Sequence, residues 1–376
     1  MNNNSKHLHL STDTVNNKRK IDTRIGITNK YTHNKYTTMG IKYLNKYLRE
    51  HCSNKSIRKL SLRHLRGKKI VIDTSIYLYR FKEEHALFEN MFLLMSLFKH
   101  YEVIPLFVFD GKPPEEKKQL LLERVAKKKE AQQKMTDLKE TMEATSTSMT
   151  YQEKIQTIKK IEELERQCTR ITNKDIEQIQ QLMTLYNVSF VVAPEEADQL
   201  CAYLVNNDYA WACMSDDMDM FLYGCKRVLR HTSVLHHDVL LYDINEIYGE
   251  LKMNQENMTE LLLLMGTDYI LDVNSTKMES FEQVVIWYTK YRKAKPVTTI
   301  YEWFVDQSYI SGHDKQVLLD TQKIINHQYD SIQVWWDIYK NNDLWYSSNM
   351  ENTKVVGDII ALKQYLTEKD GFVFAC

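Results

Sequence analysis

The 376 residues suffice for one large domain or two ordinary ones, and 43% hydrophobic with 27% charged residues fits a soluble globular protein. Fifty Lys and Arg balance fifty Asp and Glu, so composition alone points to no nucleic-acid partner and any basic surface must be local. No apolar run approaches the ~18 residues of a membrane span, the N-terminus lacks a secretory signal's apolar core, and six cysteines without a CxxC pair read as reduced thiols in an intracellular, non-secreted protein.

Residues 1–38 are polar, rich in Asn, Thr and Lys, and without hydrophobic periodicity, which predicts a disordered extension. From Met39, "MGIKYLNKYL" spaces Ile41, Leu44 and Leu48 for a helix. "GKKIVIDTS" (67–75) predicts a buried strand ending at Asp73, and 85–101 an apolar helix. "VIPLFVFDGKPP" (103–114) predicts a second strand ending at Asp110. Residues 112–170 carry 14 Lys/Arg and 11 Asp/Glu in a helical pattern broken by "ATSTSMT". An amphipathic helix follows at 173–186, then a third strand running into a helix over 188–205, a fourth strand and turn in "YAWACMSDDMDMFLYG", and a helix over 254–270. The rest reads as helical, and five of the six tryptophans there argue for packed structure. Strands alternating with helices predict an α/β domain with a mostly parallel sheet.

Each of the four predicted strands ends in acid: Asp73; Asp110; Glu195, Glu196 and Asp198; Asp216, Asp217 and Asp219. Any one of them is explained by helix capping. Four sets on one crevice rim, where open parallel sheets place their ligands, are not, because two charges ~4 Å apart repel by about 4 kcal/mol at an effective dielectric of ~20. Divalent cations resolve the conflict, and Mg²⁺ with its oxygen ligands pairs naturally with phosphate substrates. No GxxxxGK[ST] phosphate cradle is present, and no Ser/His/Asp or Cys/His arrangement. Cys225 with His231, His236 and His237 fits no zinc spacing. Lys117 and Arg124, seven residues apart, would share one helix face near Asp110 and bear on a scissile phosphate. Tyr77 and Tyr79 offer rings for base stacking, and helical direction suits only one of them to the crevice.

In order along Met39–Tyr269, "MGIKYL", "IVIDTS.YLY", "VFDGKPP", "APEEADQLCAYL", "SDDMDMFLYG" and "LLMGTDY" resemble the flap endonuclease/XPG family of structure-specific nucleases. The resemblance implies a PIN-like nuclease core over 39–270, with a mostly parallel central sheet flanked by helices. It further implies a helical arch at about 112–170 and a helical, DNA-binding C-terminal region over 271–376. Asp73, Asp110, Glu196 and Asp198 would match the first group of metal carboxylates, and Asp217, Asp219 and Asp268 the second, around two Mg²⁺ ions for which Mn²⁺ can substitute. Lys117 and Arg124 would be the catalytic phosphate clamp, Tyr79 the stacking ring, and Gly40 would lie beside the nucleic acid. Glu195 and Asp216 are neighbours and not ligands in that pattern.

The implied activity is a 5′ flap endonuclease hydrolysing DNA phosphodiester bonds by two-metal-ion catalysis in replication, repair or recombination. The alternatives are a 5′–3′ exonuclease of the same family and a catalytically inactive branched-DNA scaffold. Expected partners are branched or flapped DNA and no membrane, with a monomer acting in the nucleus or a viral replication compartment. Three departures stand out: the extension before Met39, "ILDVNSTKMESFEQ" without glycine where the family has a Gly-x-Gly hairpin, and a C-terminus without a sliding-clamp peptide. The Lys/Asn/Ile/Tyr bias points to an AT-rich genome, that of a large DNA virus or a divergent eukaryote.

Overall fold

The computed structural model describes residues 41, 43–145, 148–269, 280–339 and 359–370, together with His7–Leu8 and Val373–Phe374, which pair as two short parallel strands. Gly40, the remainder of the 1–38 extension and the glycine-free stretch 270–279 lie outside the described residues.

After α1 (Leu44–His51) come β1 (Ile57–Ser61), β2 (Lys69–Asp73), α2 (Thr74–Glu83), α3 (Leu87–His100) and β3 (Ile104–Phe109). Two long helices, α4 (Lys118–Thr145) and α5 (Tyr151–Cys168), precede α6 (Asn173–Leu185), β4 (Ser189–Val192), α7 (Ala197–Asn206), β5 (Ala212–Met214) and the single turn α8 (Asp219–Leu222). Then follow β6 (Arg227–Ser233), β7 (Asp238–Asp243), α9 (Ile244–Leu251), α10 (Gln255–Leu264), α11 (Phe281–Ala294), α12 (Ile300–Asp306), α13 (Gly312–Tyr339) and α14 (Ile359–Asp370).

The seven strands form one mixed, mostly parallel sheet in the order β1-β7-β6-β5-β2-β3-β4. β2 lies inside it, parallel to β5 on one side and β3 on the other. Its Ile70, Val71 and Ile72 are β-branched and fully buried, as a strand covered on both faces requires. Successive side chains then separate two cores. Val71, Leu106, Val108 and Cys213 face one core with α7, α10 and α11–α13; Ile70, Ile72, Phe107 and Met214 face the other with α3, α6 and α14. Because β3 and β5 flank β2, chain crossovers leave in opposite directions there, and the crevice opens at the carboxyl ends of these strands.

Three strands were not predicted. β1 and the β6–β7 hairpin extend one side of the sheet, β6 parallel to β5 and β7 antiparallel to both β6 and β1, and the polar residues of the hairpin ("RVLRHTS", "DVLLYD") hide the alternation a strand would show. α1 begins at Leu44, not near Met39, because Tyr43 is left-handed (φ 63°), although Ile41, Leu44 and Leu48 are buried as their spacing implies. Lys117 belongs to a single 3₁₀ turn, Glu115–Lys117, ahead of α4, since Pro113 and Pro114 delay the helix.

α4 runs 28 residues, about 42 Å at 1.5 Å per residue. It pairs with α5, and Ala131 and Leu164 are their buried residues. The break between them ends at a capping box: Thr150 Oγ1 accepts from the Glu153 N–H, and the Glu153 carboxylate accepts from the Thr150 N–H.

Gly111 fixes the turn that follows Asp110. Its N–H donates to the Glu195 carbonyl at 2.6 Å, and an added Cβ would stand 2.0 Å from the Ala193 carbonyl oxygen and 2.9 Å from that of Pro194. Both neighbours are backbone, so neither can swing aside. Gly111→Ala is expected to destabilise the protein by about 3 kcal/mol or more, the upper range for overpacking; a denaturant midpoint equal to wild type would contradict this close approach.

Candidate active site

The acids at the strand ends are only partly spent on helix N-termini. Asp73 and Glu196 occupy the N-cap positions of α2 and α7, yet neither side chain makes a cap hydrogen bond. Asp110 serves α7, with Oδ1 accepting from the Ala197 N–H at 2.8 Å and Oδ2 from Ser75 Oγ at 2.5 Å, and Asp198 Oδ1 accepts from the Gln199 N–H at 2.7 Å. Asp73 Oδ2 accepts from the buried Ser215 Oγ at 3.1 Å. Asp217 Oδ1 accepts from the Asp219 N–H at 2.9 Å, while the Asp219 carboxyl is buried with Oδ1 lacking a partner.

These side chains converge. Burial pushes Asp73, Asp198 and Asp219 well above the ordinary carboxylate range, and their neighbours add to it. Asp110 and Asp217 act on Asp73; Glu196, Asp73 and Asp217 on Asp198; Asp217, Asp268 and Glu196 on Asp219. The seven carboxylates named from the sequence are thus linked by mutual repulsion, on four strand ends and the turn after α10.

Two cations enter from the base of α4. Lys117 is 6% exposed, and its Nζ donates to both Glu196 oxygens at 2.8 and 2.7 Å, 3.9 Å from Asp268 Oδ2. Burial works to lower its pKa, but Asp198, Glu196 and Asp268 outweigh that and the net shift is upward, so the ammonium stays charged. Arg124 is more exposed and donates to Asp268 Oδ2 at 2.6 Å. Lys117 and Arg124 therefore meet at Asp268, although only Arg124 lies on α4.

Tyr77 and Tyr79 part company as helical direction requires. Tyr77 is buried, its hydroxyl 3.1 Å from Thr232 Oγ1, whereas Tyr79 is 38% exposed with Lys128 Nζ 5.2 Å from its ring centre. Asp110 and Arg124 both act on the Tyr79 hydroxyl, which places it at the pocket rim. Asp216 turns away from the pocket: its Oδ1 accepts from the His231 N–H at 2.7 Å, and Oδ2 lies 3.8 Å from Arg80. Glu195 faces Glu116 and His327 as well as Glu196.

Three polar supports were not singled out from the sequence. Ser75 and Ser215 donate to Asp110 and Asp73; a Ser beside an Asp reads from sequence as a helix start. Tyr269 donates to Glu196 Oε2 at 2.5 Å and lies under Lys117, whose Nζ is 4.3 Å from the ring centre. Its position directly after Asp268 was the available signal.

The donor set suits a hard divalent cation: every candidate ligand is a carboxylate oxygen, and the unpartnered Asp219 Oδ1 is buried among like charges. As placed, no three Asp, Glu, His or Cys side chains among the described residues stand close enough to hold an ion. Lys117 lies between Glu196 and Asp268 and supplies positive charge there itself.

The raised carboxyls give a signed pH effect. A folded-state pKa above the unfolded value adds stability below about pH 4, lost as pH rises through the folded value. In the presence of a chelator, Asp219→Asn should therefore melt above wild type at neutral pH and match it near pH 4, about where an unfolded carboxyl titrates. A variant that melts below wild type at neutral pH would contradict the burial of an uncompensated charge.

Residues 39–131 match the XPG N-terminal domain and residues 187–268 the XPG I-region. A flap endonuclease 1-A of Sorghum bicolor is 30% identical over 250 residues, 61% of this chain and 62% of that relative. The chain thus spans less than two thirds of that relative's length. A probable RAD2-like endonuclease of Invertebrate iridescent virus 6 is 25% identical over 282 residues, 61% of this chain and 67% of that relative. The catalytic core of Rad2 with a DNA substrate has the same fold, with a TM-score of 0.54 at 17% identity, over 89% of this chain and 96% of that one. With both domains matched around the acidic crevice, in the order in which the carboxylates occur, the chain carries the XPG N-terminal domain and the XPG I-region and is similar to flap endonucleases.

Proposed function

We propose that the chain is a structure-specific 5′ nuclease that hydrolyses DNA phosphodiester bonds at branches, with a 5′ flap as its substrate. The observation that carries this reading is the convergence of Asp73, Asp110, Glu196, Asp198, Asp217, Asp219 and Asp268 beneath Lys117 and Arg124. A cluster of carboxylates, with Asp73 and Asp219 buried, repels DNA unless cations intervene, and the reading assigns these residues to two Mg²⁺ ions, with Mn²⁺ able to replace them. Bound there, such ions supply positive charge at the phosphate and a more acidic water.

The protein's own residues do the rest. Lys117 and Arg124 exchange Glu196 and Asp268 for the phosphate oxygens and bear the charge that develops on them. Tyr79, at the rim, stacks on the base beside the cut. Ser75 and Ser215 hold Asp110 and Asp73 in place. In the same reading, α4 and α5 form the arch beneath which the 5′ strand passes. The helices after residue 280 grip the duplex, with Lys290, Arg292 and Lys293 of α11 as candidate phosphate contacts. The activity belongs to DNA replication, repair or recombination, in a nucleus or a viral replication compartment.

Labelled flap, nicked and blunt duplexes incubated with Mg²⁺ or with chelator test this. One Mg²⁺-dependent cut near the flap base is expected. Progressive shortening of the nicked duplex instead would favour the exonuclease, and no cleavage of any branched DNA with Mg²⁺ or Mn²⁺ would leave the inactive scaffold.

A further inference from the structure

Behind the carboxylates lies a second layer of polar residues to which the proposed activity assigns no role. Gln199, on α7, is 5% exposed. Its Nε2 donates to the Tyr269 hydroxyl at 2.6 Å and to Gln328 Oε1, on α13, at 2.7 Å. Tyr269 in turn donates to Glu196 Oε2 at 2.5 Å. The direction of this chain is fixed by chemistry. Glu196 as a carboxylate can only accept, so the Tyr269 proton points to it, and the tyrosine oxygen accepts from the amide nitrogen of Gln199, with the Tyr223 hydroxyl beside both. α13 is held against α7 alongside: Asn207 Nδ2 donates to the Tyr329 hydroxyl at 3.1 Å, and the Tyr203 and Tyr329 rings are 5.2 Å apart.

We propose that Gln199, anchored by Gln328, is a positioning residue: it fixes Tyr269 so that one ring both orients the Glu196 carboxylate and seats the Lys117 ammonium. A tyrosine hydroxyl that both gives and receives a hydrogen bond has a single rotation about its C–O bond. Without Gln199 that hydroxyl can turn away, and Glu196 loses the bond that fixes its Oε2. Lys117 is bound to the same carboxylate and the same ring, so it shifts with them. The relay also ties the orientation of a candidate metal ligand to a helix of the C-terminal region.

This inference rests on the pocket reading above, and its test separates the two. Mn²⁺ uptake followed by electron paramagnetic resonance, and kcat and KM on a flap duplex, are measured for wild type, Tyr269→Phe, Gln199→Leu and the double variant. Outer-layer partners of metal ligands change affinity or activity about 10–100-fold. Each single variant should therefore weaken Mn²⁺ uptake and lower kcat about tenfold, the low end of that range, with KM unchanged. The double variant should be no worse than Tyr269→Phe, because Gln199 acts through that hydroxyl. Wild-type behaviour of Gln199→Leu, losses that multiply in the double variant, or a change confined to KM would each overturn the relay. Should Gln199→Leu fail to fold, Gln328→Leu removes the other anchor of the same amide and carries the same comparison. A wild type that neither takes up Mn²⁺ nor cuts flap DNA would instead sink the pocket reading itself.

Discussion

Asp219→Ala is expected to remove cation-dependent cutting about a thousandfold or more, while leaving DNA binding and the fold intact. Its dual outcome is what makes this substitution informative. Truncating a buried side chain ordinarily costs stability, but Asp219 is 3% exposed, its Oδ1 has no partner, and Asp217, Asp268 and Glu196 crowd it with like charge. Its removal relieves repulsion in the cation-free protein, so the melting temperature should hold or rise. DNA binding should hold too, since one negative charge fewer faces the phosphates. Measuring single-turnover cleavage, flap binding in chelator and thermal melting on one preparation checks all three. A variant that cuts at the wild-type rate would end the case for Asp219 as a candidate ligand.

Lys117→Ala should behave in the opposite way on stability. The ammonium is buried, bound twice to Glu196 and set over the Tyr269 ring. Removing one partner of a buried pair leaves the other uncompensated, at a cost of about 3–5 kcal/mol. Glu196, Asp198 and Asp268 would then face one another with less positive charge between them. Cleavage should fall about 10²–10³-fold, the loss typical of removing a donor aimed at developing charge. Arg124→Ala provides the contrast: its pair with Asp268 is half-exposed, so stability should change by less than about 1 kcal/mol while cleavage still falls. Saturating Mg²⁺ should recover much of the lost stability of Lys117→Ala, because bound cations replace the missing charge. Cleavage by Lys117→Ala within twofold of wild type would show that the lysine is there for the fold alone.

The legible parts of this molecule are those where one residue type has one job. Ile70, Val71 and Ile72 announce a strand buried on both faces, and an acid directly after such a strand lands on the crevice rim whatever the connecting helices do. That is why these acids could be proposed together from sequence without knowing the sheet order. β6 and β7 escaped because a hairpin at the side of the sheet mixes Arg, His and Asp with its apolar residues, and composition no longer reports pairing. Lys117 was placed on a helix by spacing, where two prolines leave it on a turn that aims it into the carboxylates. Gln199 and Gln328 could not be linked at all: a buried amide on one helix and another 129 residues later carry no mutual signature until the helices meet. Tyr269 was visible as part of a motif, but its role depends on a hydroxyl direction that sequence does not encode.

The pocket draws on residues from Asp73 to Asp268, and its members come from five segments that touch only when the sheet has closed. Such long-range contacts form late and slowly. During synthesis, a nascent chain has exposed all six strand-end acids of the set before the turn carrying Asp268 leaves the ribosome, and Lys117 then has Glu196 and Asp198 but not Asp268 to face. On the proposed reading, cutting competence arrives with the last of these segments, so a truncated product ending before residue 268 is expected to leave flap DNA uncut.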